Sequence, residues 1–218
     1  MHIPDGFLNA KTVVATAAVS AWALKHNVAK AKEELNEREL PALGVMSAFI
    51  FAAQMVNFPV MAGTSGHLLG AALAAVVLGP YSAGLIITTV LIVQSLFFQD
   101  GGLTALGANI LNMAVAAPLV ANFVYNFVKK FKFAGSGTAA TFLAAWLSVM
   151  AAAFMTSVEL AFSGTVSLGT VLPAMMVVHA VIGIGEGLIT SVAAAYIGRI
   201  LNLKAKACPN PDAGGRVG

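Results

Sequence analysis

Residues 170–198 read TVLPAMMVVHAVIGIGEGLITSVAAAYIG and contain a single charged side chain, Glu186. A helix needs about 20 consecutive, mostly apolar residues to cross a lipid bilayer, and this stretch is longer than that. The rest of the chain has the same character, since 59% of its 218 residues are hydrophobic and its mean hydropathy is +0.87. The sequence therefore predicts an all-α, polytopic membrane protein.

Charged residues are too scarce for a soluble protein. The 12 Lys and Arg and the 9 Asp and Glu make 21 charged side chains, where a soluble domain of this length would carry about 54. So little polar surface cannot cover a water-soluble globule, which excludes a soluble enzyme. The net charge of +3 is too small and too scattered to indicate nucleic acid as a partner. The single cysteine, Cys208, excludes a disulfide framework within the chain.

Seven apolar runs, separated by polar or Gly/Pro segments, predict seven transmembrane helices. These runs are 8–24, 41–61, 66–79, 81–98, 103–128, 138–160 and 170–198. The third run is short for a membrane span. We therefore expect residues 1–203 to form one seven-helix transmembrane domain with an N-terminal loop at 1–7, followed by a polar cytoplasmic tail at 204–218.

Basic residues follow the first, fifth and seventh predicted helices, which seven crossings place on one side of the membrane. Eleven of the twelve lie there: Lys25, Lys30, Lys32, Arg38, Lys129, Lys130, Lys132, Arg199, Lys204, Lys206 and Arg216. Because cytoplasmic loops carry the excess of Lys and Arg, this side is predicted to be cytoplasmic. The N-terminus and the connections 62–66, 99–102 and 161–169 are then outside, and the C-terminus is inside.

The first six residues, MHIPDG, form an unusual chain start. Pro4, Asp5 and Gly6 are typical of a turn, which would fold the first residues back toward the helices. The bulky His2 favours retention of Met1, which then offers a free amine. This amine, the His2 backbone nitrogen and His2 Nδ1 can close two adjacent chelate rings on one metal, an arrangement that Ni(II) and Cu(II) favour and Co(II) suits less. The alternative is that His2 is a surface residue at a frayed terminus.

A second histidine, His67, follows a predicted outer loop and enters the third predicted helix. It lies on the same side as Met1 and can supply a fourth nitrogen, although a histidine hydrogen-bonded at a helix start, with Thr64 and Ser65 as caps, is the alternative. Polar side chains near the same membrane face are expected to hold the N-terminal loop and orient His67, while interhelical hydrogen bonds would explain them equally well. They are Gln54, Asn57, Ser65, Gln94, Gln99, Asp100, Asn109 and Asn112.

Three further polar side chains lie within predicted spans. His179 and Glu186, with Gly183 between them, share one face of the last helix because they are spaced by four and three residues. One interpretation makes them a path or a proton-coupled switch, and the other, which we favour, makes them an internally hydrogen-bonded pair that locks the helix. Glu159 is expected to reach the headgroup interface or to attract cations.

Three motifs resemble the CbiM/NikM family, the cobalt- and nickel-binding membrane subunits of energy-coupling factor transporters. The motifs are MHIPDG at 1–6, GTSGHLLG at 63–70 and QSLFFQDGG at 94–102, and the resemblance extends over all seven predicted helices. It implies a capture subunit that binds Ni(II) or Co(II) as transported substrate through the Met1 amine, the His2 backbone nitrogen and imidazole, and His67. No organic cofactor is implied. The family's small-residue face toward its coupling protein would correspond to Ala17 and Ala21.

The resemblance also implies partners and a location. The partners are a transmembrane coupling subunit, two cytoplasmic ATPase subunits and a small accessory membrane subunit, and the location is the cell (inner) membrane of a bacterium or archaeon. The chain has no P-loop glycine motif, so we expect it not to be an enzyme and its partners to hydrolyse the ATP.

Two other functions compete with metal capture in a transporter complex. The segment GTSG at 63–66 resembles the nucleophile segment of rhomboid intramembrane proteases, with Ser65 as nucleophile and His179 as base. That interpretation leaves the His2 terminus unexplained, and Ala180 follows His179 where close packing would favour glycine. A stand-alone metal carrier is the other alternative, but His179 and Glu186 are the only deep candidate ligands for it.

Overall fold

The computed structural model describes residues 1–35, 39–60 and 65–207. Several residues used above lie outside these ranges, and so does most of the predicted polar tail. The residues named in the sequence analysis that lie outside the described ranges are Arg38, Gly63, Thr64, Cys208 and Arg216.

The described chain is mostly helical. Its α-helices are α1 (Ala10–Glu34), α2 (Leu40–Gln54), α3 (Ala71–Leu78), α4 (Pro80–Val93), α5 (Leu106–Asn109), α6 (Ala117–Lys129), α7 (Ser136–Phe162) and α8 (Leu168–Ala207). A π-helical segment, Gln94–Phe98, extends α4, and a second one, Ile110–Ala116, joins α5 to α6. Two short strands, β1 (Asn57–Pro59) and β2 (Ser65–His67), pair antiparallel with Asn57 opposite His67.

Helix boundaries differ from the predicted runs around the strand pair. The second run was predicted to continue to residue 61 and the third to begin at 66, whereas α2 ends at Gln54 and α3 begins at Ala71. A proline disfavours helical backbone in the residue before it, so Pro59 disfavours a helical conformation at Phe58. Gly70 has a φ of +75°, which interrupts a right-handed helix directly before α3. Residues 57–59 and 65–67 therefore pair as strands instead of extending the helices.

Four helical stretches are long and apolar enough to cross a membrane: Pro80–Phe98, Leu106–Lys129, Ser136–Phe162 and Leu168–Arg199. Helix α2 is apolar but has only 15 residues. Helix α3 has eight residues, which at about 1.5 Å per residue cannot cross a hydrocarbon core of about 30 Å. Helix α1 has 25 residues. It continues past the first apolar run into a charged segment, and the helix ends at Glu34.

Small residues allow the helices to approach closely. Alanines of α3 and α7 are fully or almost fully buried, among them Ala71, Ala72, Ala74, Ala144, Ala145 and Ala152. Interfaces between helices in lipid depend on such residues because van der Waals packing and hydrogen bonds replace the hydrophobic driving force. At Gly107 on α5, an added Cβ would lie 2.6 Å from the Ala17 Cα of α1. Ser20 on α1 donates a hydrogen bond to the Gly107 carbonyl at 2.5 Å, so α1 and α5 touch through their backbones.

We predict that Gly107→Ala destabilises the protein, because the new methyl group meets backbone atoms of α1 that cannot move independently. Overpacking of this kind costs about 1–3 kcal/mol, and the thermal unfolding midpoint in detergent measures it. Gly185→Ala on α8 is the matched control, since nothing lies within 4 Å of its added Cβ. Equal midpoints for the two variants would show that the contact between α1 and α5 does not limit stability.

Candidate metal centre

The first three residues of the chain are buried. The exposed fractions of Met1, His2 and Ile3 are 0%, 3% and 0%, whereas chain termini are usually poorly ordered unless they are tied down. The terminal amine donates a hydrogen bond to the Ser65 carbonyl and lies 3.4 Å from Ser65 Oγ. His2 is therefore not a surface residue at a frayed end.

Backbone hydrogen bonds hold this buried segment in place. The Ile3 amide donates to Asn109 Oδ1 at 2.8 Å, and Asn109 Nδ2 donates to the Ile3 carbonyl at 3.1 Å. The Gly102 amide donates to the same carbonyl at 2.9 Å. Asn109 thus hydrogen-bonds both the amide and the carbonyl of Ile3, as a neighbouring strand would do. Asn109 is therefore in direct contact with the N-terminal loop, as the sequence predicted.

The predicted turn at Pro4, Asp5 and Gly6 is present, and hydrogen bonds from residues 103 and 104 hold it in place. The Asp5 carboxylate accepts hydrogen bonds from the Leu103 amide at 3.2 Å and from the amide and hydroxyl of Thr104 at 2.7 and 2.5 Å. The Thr104 hydroxyl is the main cause of a lowered pKa at Asp5. Residue 102 must be glycine, because a Cβ there would lie 2.3 Å from the Asp5 backbone nitrogen.

The rings of His2 and His67 lie face to face, with centroids 4.5 Å apart and planes at 21°. His67 is 1% exposed, and its Nδ1–H donates to the Leu68 carbonyl at 2.7 Å. His2 Nδ1 lies 3.0 Å from Asp100 Oδ1 and 3.3 Å from Ser65 Oγ. Nε2 of both histidines is buried and without a partner among the described residues, and a neutral imidazole offers a metal its bare nitrogen.

His67 lies on β2, which differs from the predicted position at a helix start. Helix α3 begins four residues later and has Gly70 as its N-cap, without a side-chain capping bond. Ser65 is therefore not a helix cap. The strand pairing sets His67 opposite Asn57 of β1, which places both residues beside the buried terminus.

Asp100 connects the histidine pair to the surrounding polar side chains. Its Oδ2 accepts a hydrogen bond from Asn57 Nδ2 at 2.9 Å, while its Oδ1 faces His2. Burial alone would raise the pKa of Asp100, but the hydrogen bond and charge of His2 outweigh it and lower the pKa. Gln94 is fully buried beside His2, where its side chain opposes the lowering of the imidazole pKa by burial, although neither of its polar atoms makes a hydrogen bond of ordinary geometry in the described parts of the chain.

Three other predicted partners lie further from the histidine pair. Gln54 Nε2 donates to the Leu69 carbonyl at 2.7 Å, so it acts on the segment that follows His67. Asn112 Nδ2 donates to Glu159 Oε2 at 2.6 Å and to the Thr156 hydroxyl at 3.2 Å, which places Asn112 in a separate cluster. Gln99 is exposed.

Burial keeps the nitrogens of this centre uncharged at neutral pH. It lowers the pKa of the Met1 amine from 8.0 to about 4. It is also the main cause of the lowered pKa values of His2 and His67, although the Asp100 hydrogen bond opposes it at His2. Among the described residues, no group of three or more His, Cys, Asp or Glu side chains could hold a metal ion. A metal bound here would therefore need the terminal amine or backbone nitrogens as well.

The predicted bond between His179 and Glu186 is wrong. Glu186 instead accepts hydrogen bonds from two backbone amides, those of Leu69 and, at 2.7 Å, Gly70. His179 Nδ1 donates to the Met175 carbonyl of its own helix at 2.8 Å. Seven residues of helix separate the two side chains by about 10 Å along its axis, so each uses backbone partners closer to it.

Glu159 also differs from its prediction. Its side chain is 8% exposed and is bonded to Asn112 inside the protein, so it does not reach out to a headgroup interface.

The protease arrangement is not formed. The Ser65 hydroxyl faces His2 Nδ1 and the terminal amine, while His179 Nε2 has no partner among the described residues. Asp100 and Ser65 both face Nδ1 of His2, whereas a catalytic triad uses the two different ring nitrogens. Ser65 therefore lacks an activating base.

Sequence reasoning missed the groups that hold the centre from a distance. Thr104 lies two residues after the motif at 94–102 and could have been noticed as a partner for Asp5. The Thr165 hydroxyl donates to the Phe7 carbonyl, and Glu186 binds amides more than a hundred residues away. No local pattern in the sequence indicates either of these long-range contacts.

Comparisons with known proteins agree with the resemblance drawn from the motifs. The family described as the cobalt uptake substrate-specific transmembrane region, CbiM, matches residues 2–202. A protein of Archaeoglobus fulgidus, provisionally named fused nickel transport protein NikMN, is 39% identical over 200 residues, which are 90% of this chain and 65% of that protein. The fused nickel transport protein NikMN of Rhodobacter capsulatus is 35% identical over 215 residues, 91% of this chain and 62% of that protein.

This chain thus spans less than two thirds of the length of these two relatives. A crystal structure of a truncated transition metal transporter superposes with a TM-score of 0.86 at 33% identity, covering 91% of this chain and 99% of the other. The helical framework is therefore shared with a transition metal transporter of known structure. The chain belongs to the CbiM family of cobalt uptake substrate-specific transmembrane proteins.

Proposed function

We propose that this chain is the substrate-specific membrane subunit of an energy-coupling factor importer. It captures Ni(II) or Co(II) at the external face of the cell membrane. The observation that carries the proposal is the buried terminal amine beside the stacked imidazoles of His2 and His67, where His67 Nε2 has no partner among the described residues. The family description refers to cobalt uptake, and the two relatives are named for nickel transport, which supports these two metals as substrates.

The proposed ligands are four nitrogens: the Met1 amine, the His2 backbone nitrogen, His2 Nδ1 and His67 Nε2. His67 Nε2 has a bare lone pair, because Nδ1 carries the proton that is donated to the Leu68 carbonyl, and Nε2 has no partner among the described residues. His2 Nδ1 faces Asp100 in the structure, so the imidazole has to turn about its Cβ–Cγ bond to chelate together with its own backbone nitrogen. Once Nδ1 binds the metal, Nε2 carries the imidazole proton, and Asp100 orients the ligating ring by accepting a hydrogen bond from that Nε2–H.

The ligand types favour a late transition metal. Nitrogen donors in a tetragonal arrangement suit Ni(II), whereas Mg(II) and Ca(II) require oxygen ligands. The buried terminus adds preorganisation, because Asn109 and Asp5 hold the first residues before any metal arrives. The entropy of ordering the N-terminus is therefore lost during folding and not during metal binding.

Transport requires partners in this proposal. The chain crosses the membrane seven times, the third time through α3 together with the non-helical segment before it, with the N-terminus outside and the C-terminus in the cytoplasm. Ala17 and Ala21 of α1 contact the transmembrane coupling subunit, and both are exposed on the isolated chain. Two cytoplasmic ATPase subunits hydrolyse the ATP, and a small accessory membrane subunit completes the complex.

A one-residue extension before Met1 tests the ligand set. It keeps every side chain but replaces the terminal amine by an amide. Loss of a group that only hydrogen-bonds to a metal ligand lowers metal affinity roughly 10- to 100-fold. Because the amine is itself a proposed ligand, we expect the extension to lower Ni(II) affinity by more than this. Isothermal titration calorimetry with Ni(II) measures the effect, and a residue added after Gly218 is the control. Unchanged affinity in the N-terminally extended protein would disprove the role of the amine.

The pH dependence provides a second test. Because the folded amine has a pKa of about 4 and the pKa values of both histidines are lowered, no proton competes at these groups at neutral pH. Metal binding at pH 7 should then release about one proton, from the His2 amide, and more protons as the pH falls toward 4. An exposed amine with its ordinary pKa of 8.0 would release about one proton more at pH 7. Calorimetry in buffers of different ionisation enthalpy counts the protons.

Purification from native membranes in mild detergent distinguishes the importer from a stand-alone carrier. We expect the chain to copurify with ATPase subunits, identified by mass spectrometry, and reconstituted vesicles to take up Ni(II) only with ATP. Rapid, ATP-independent uptake by the isolated chain would instead support the carrier.

A further inference from the structure

Glu186 is a buried acidic residue within the apolar helix α8. Its side chain is 2% exposed, and it is the sole charged residue of the stretch 170–198. An ionisable group inside a membrane span is costly unless it finds partners, and such groups usually serve a function. The partners of Glu186 therefore indicate what it does.

Those partners belong to the turn that follows His67. One carboxyl oxygen accepts a hydrogen bond from the Leu69 amide, and the other accepts one from the Gly70 amide at 2.7 Å. Two successive backbone amides directed at one acidic group form an anion-binding concavity. Each carboxyl oxygen has its own donor, so the turn is held at two points and cannot rotate about either bond.

The same turn is also held from α2 and leaves no room to shift. Gln54 Nε2 donates to the Leu69 carbonyl at 2.7 Å. Gly70 has a φ of +75°, and a Cβ there would lie 2.8 Å from Ile50 Cγ1. Helices α2 and α8 thus grip the segment from two sides.

His67 lies two residues before this turn, and its ring is tied to the segment itself. Its Nδ1–H donates to the Leu68 carbonyl at 2.7 Å, so the peptide between Leu68 and Leu69 carries both the carbonyl that orients the ring and an amide that binds Glu186. A shift of the turn relative to α8 therefore moves the His67 ring and redirects its free Nε2.

We propose that Glu186 is a positioning residue for the proposed metal ligand His67: by binding the Leu69 and Gly70 amides, it fixes the direction of His67 Nε2 and makes metal affinity depend on the position of α8. The inference rests on the proposed metal-binding function. It assigns Glu186 a role at the outer capture site, although the residue is on the last helix and does not contact the metal.

A double-mutant cycle with Glu186→Gln and His67→Ala tests the inference. Glutamine keeps the shape of the side chain but turns an NH2 group toward one backbone amide, which loosens the turn. We expect Ni(II) affinity to fall about 10- to 100-fold, the range for partners that orient a ligand. The ligand-field absorption of bound Ni(II) should shift toward that of His67→Ala. The double mutant should bind no more weakly than His67→Ala alone.

Glu159→Gln is the matched control. Glu159 is also a buried carboxyl in a transmembrane helix, but it is bonded to Asn112, away from the turn after His67. We expect this variant to lower the thermal unfolding midpoint and to keep the Ni(II) affinity and absorption of the unaltered protein. A purely structural role of Glu186 would make its variant behave in the same way.

The outcomes separate the inference from the proposed function. Full Ni(II) affinity in His67→Ala overturns the proposed ligand set, and the role of Glu186 with it. If His67→Ala loses affinity but Glu186→Gln retains it, or if the two losses multiply in the double mutant, the positioning role alone is overturned. If Glu186→Gln does not fold, Glu186→Asp replaces it in the same cycle, because it keeps the charge but withdraws the carboxyl group by one methylene.

Discussion

Burial of the amino terminus is the constraint on which the candidate metal centre depends. A charged ammonium group is costly to bury without a counterion, and burial lowers the pKa of the Met1 amine to about 4. The group is therefore neutral in the folded protein and has a lone pair available. Because the first backbone groups also lose water, each needs a partner, and Asn109 and Gly102 supply those of Ile3.

The remaining architecture around the N-terminus follows from this insertion. Gly102 has to be glycine because the Asp5 backbone occupies the space of its side chain. The chain between α2 and α3 leaves the helical conformation and pairs as β1 and β2, which brings His67 and Ser65 against the inserted residues. Helix α8 then secures the end of that pair through Glu186. A terminal segment of six residues is thus held by three separate parts of the chain, which are β2, the segment 100–104 and Asn109 of α5.

Charge is distributed so that few carboxylates are free near the centre. Asp5 is bonded to Thr104, and Glu159 is buried against Asn112. Among the carboxylates that the structure describes, Asp100 alone faces the histidine pair, and it contacts His2 through a ring nitrogen. An arriving cation therefore finds nitrogen atoms and few oxygen anions, which disfavours Mg(II) and Ca(II) and agrees with a site for a late transition metal.

The sequence by itself determined the helical class with its apolar spans and the family, and it singled out Met1, His2 and His67 as candidate ligands, because hydropathy and short motifs are local properties of the chain. It also indicated Asn57, Ser65, Asp100 and Asn109 as neighbours, although without their hydrogen bonds. Only the tertiary structure decided that His67 lies on a strand and that Glu186 binds the turn beside it and not His179. The reason is physical: a buried polar group takes whichever partner the packed helices bring near, and residues 69 and 186 become neighbours only after folding.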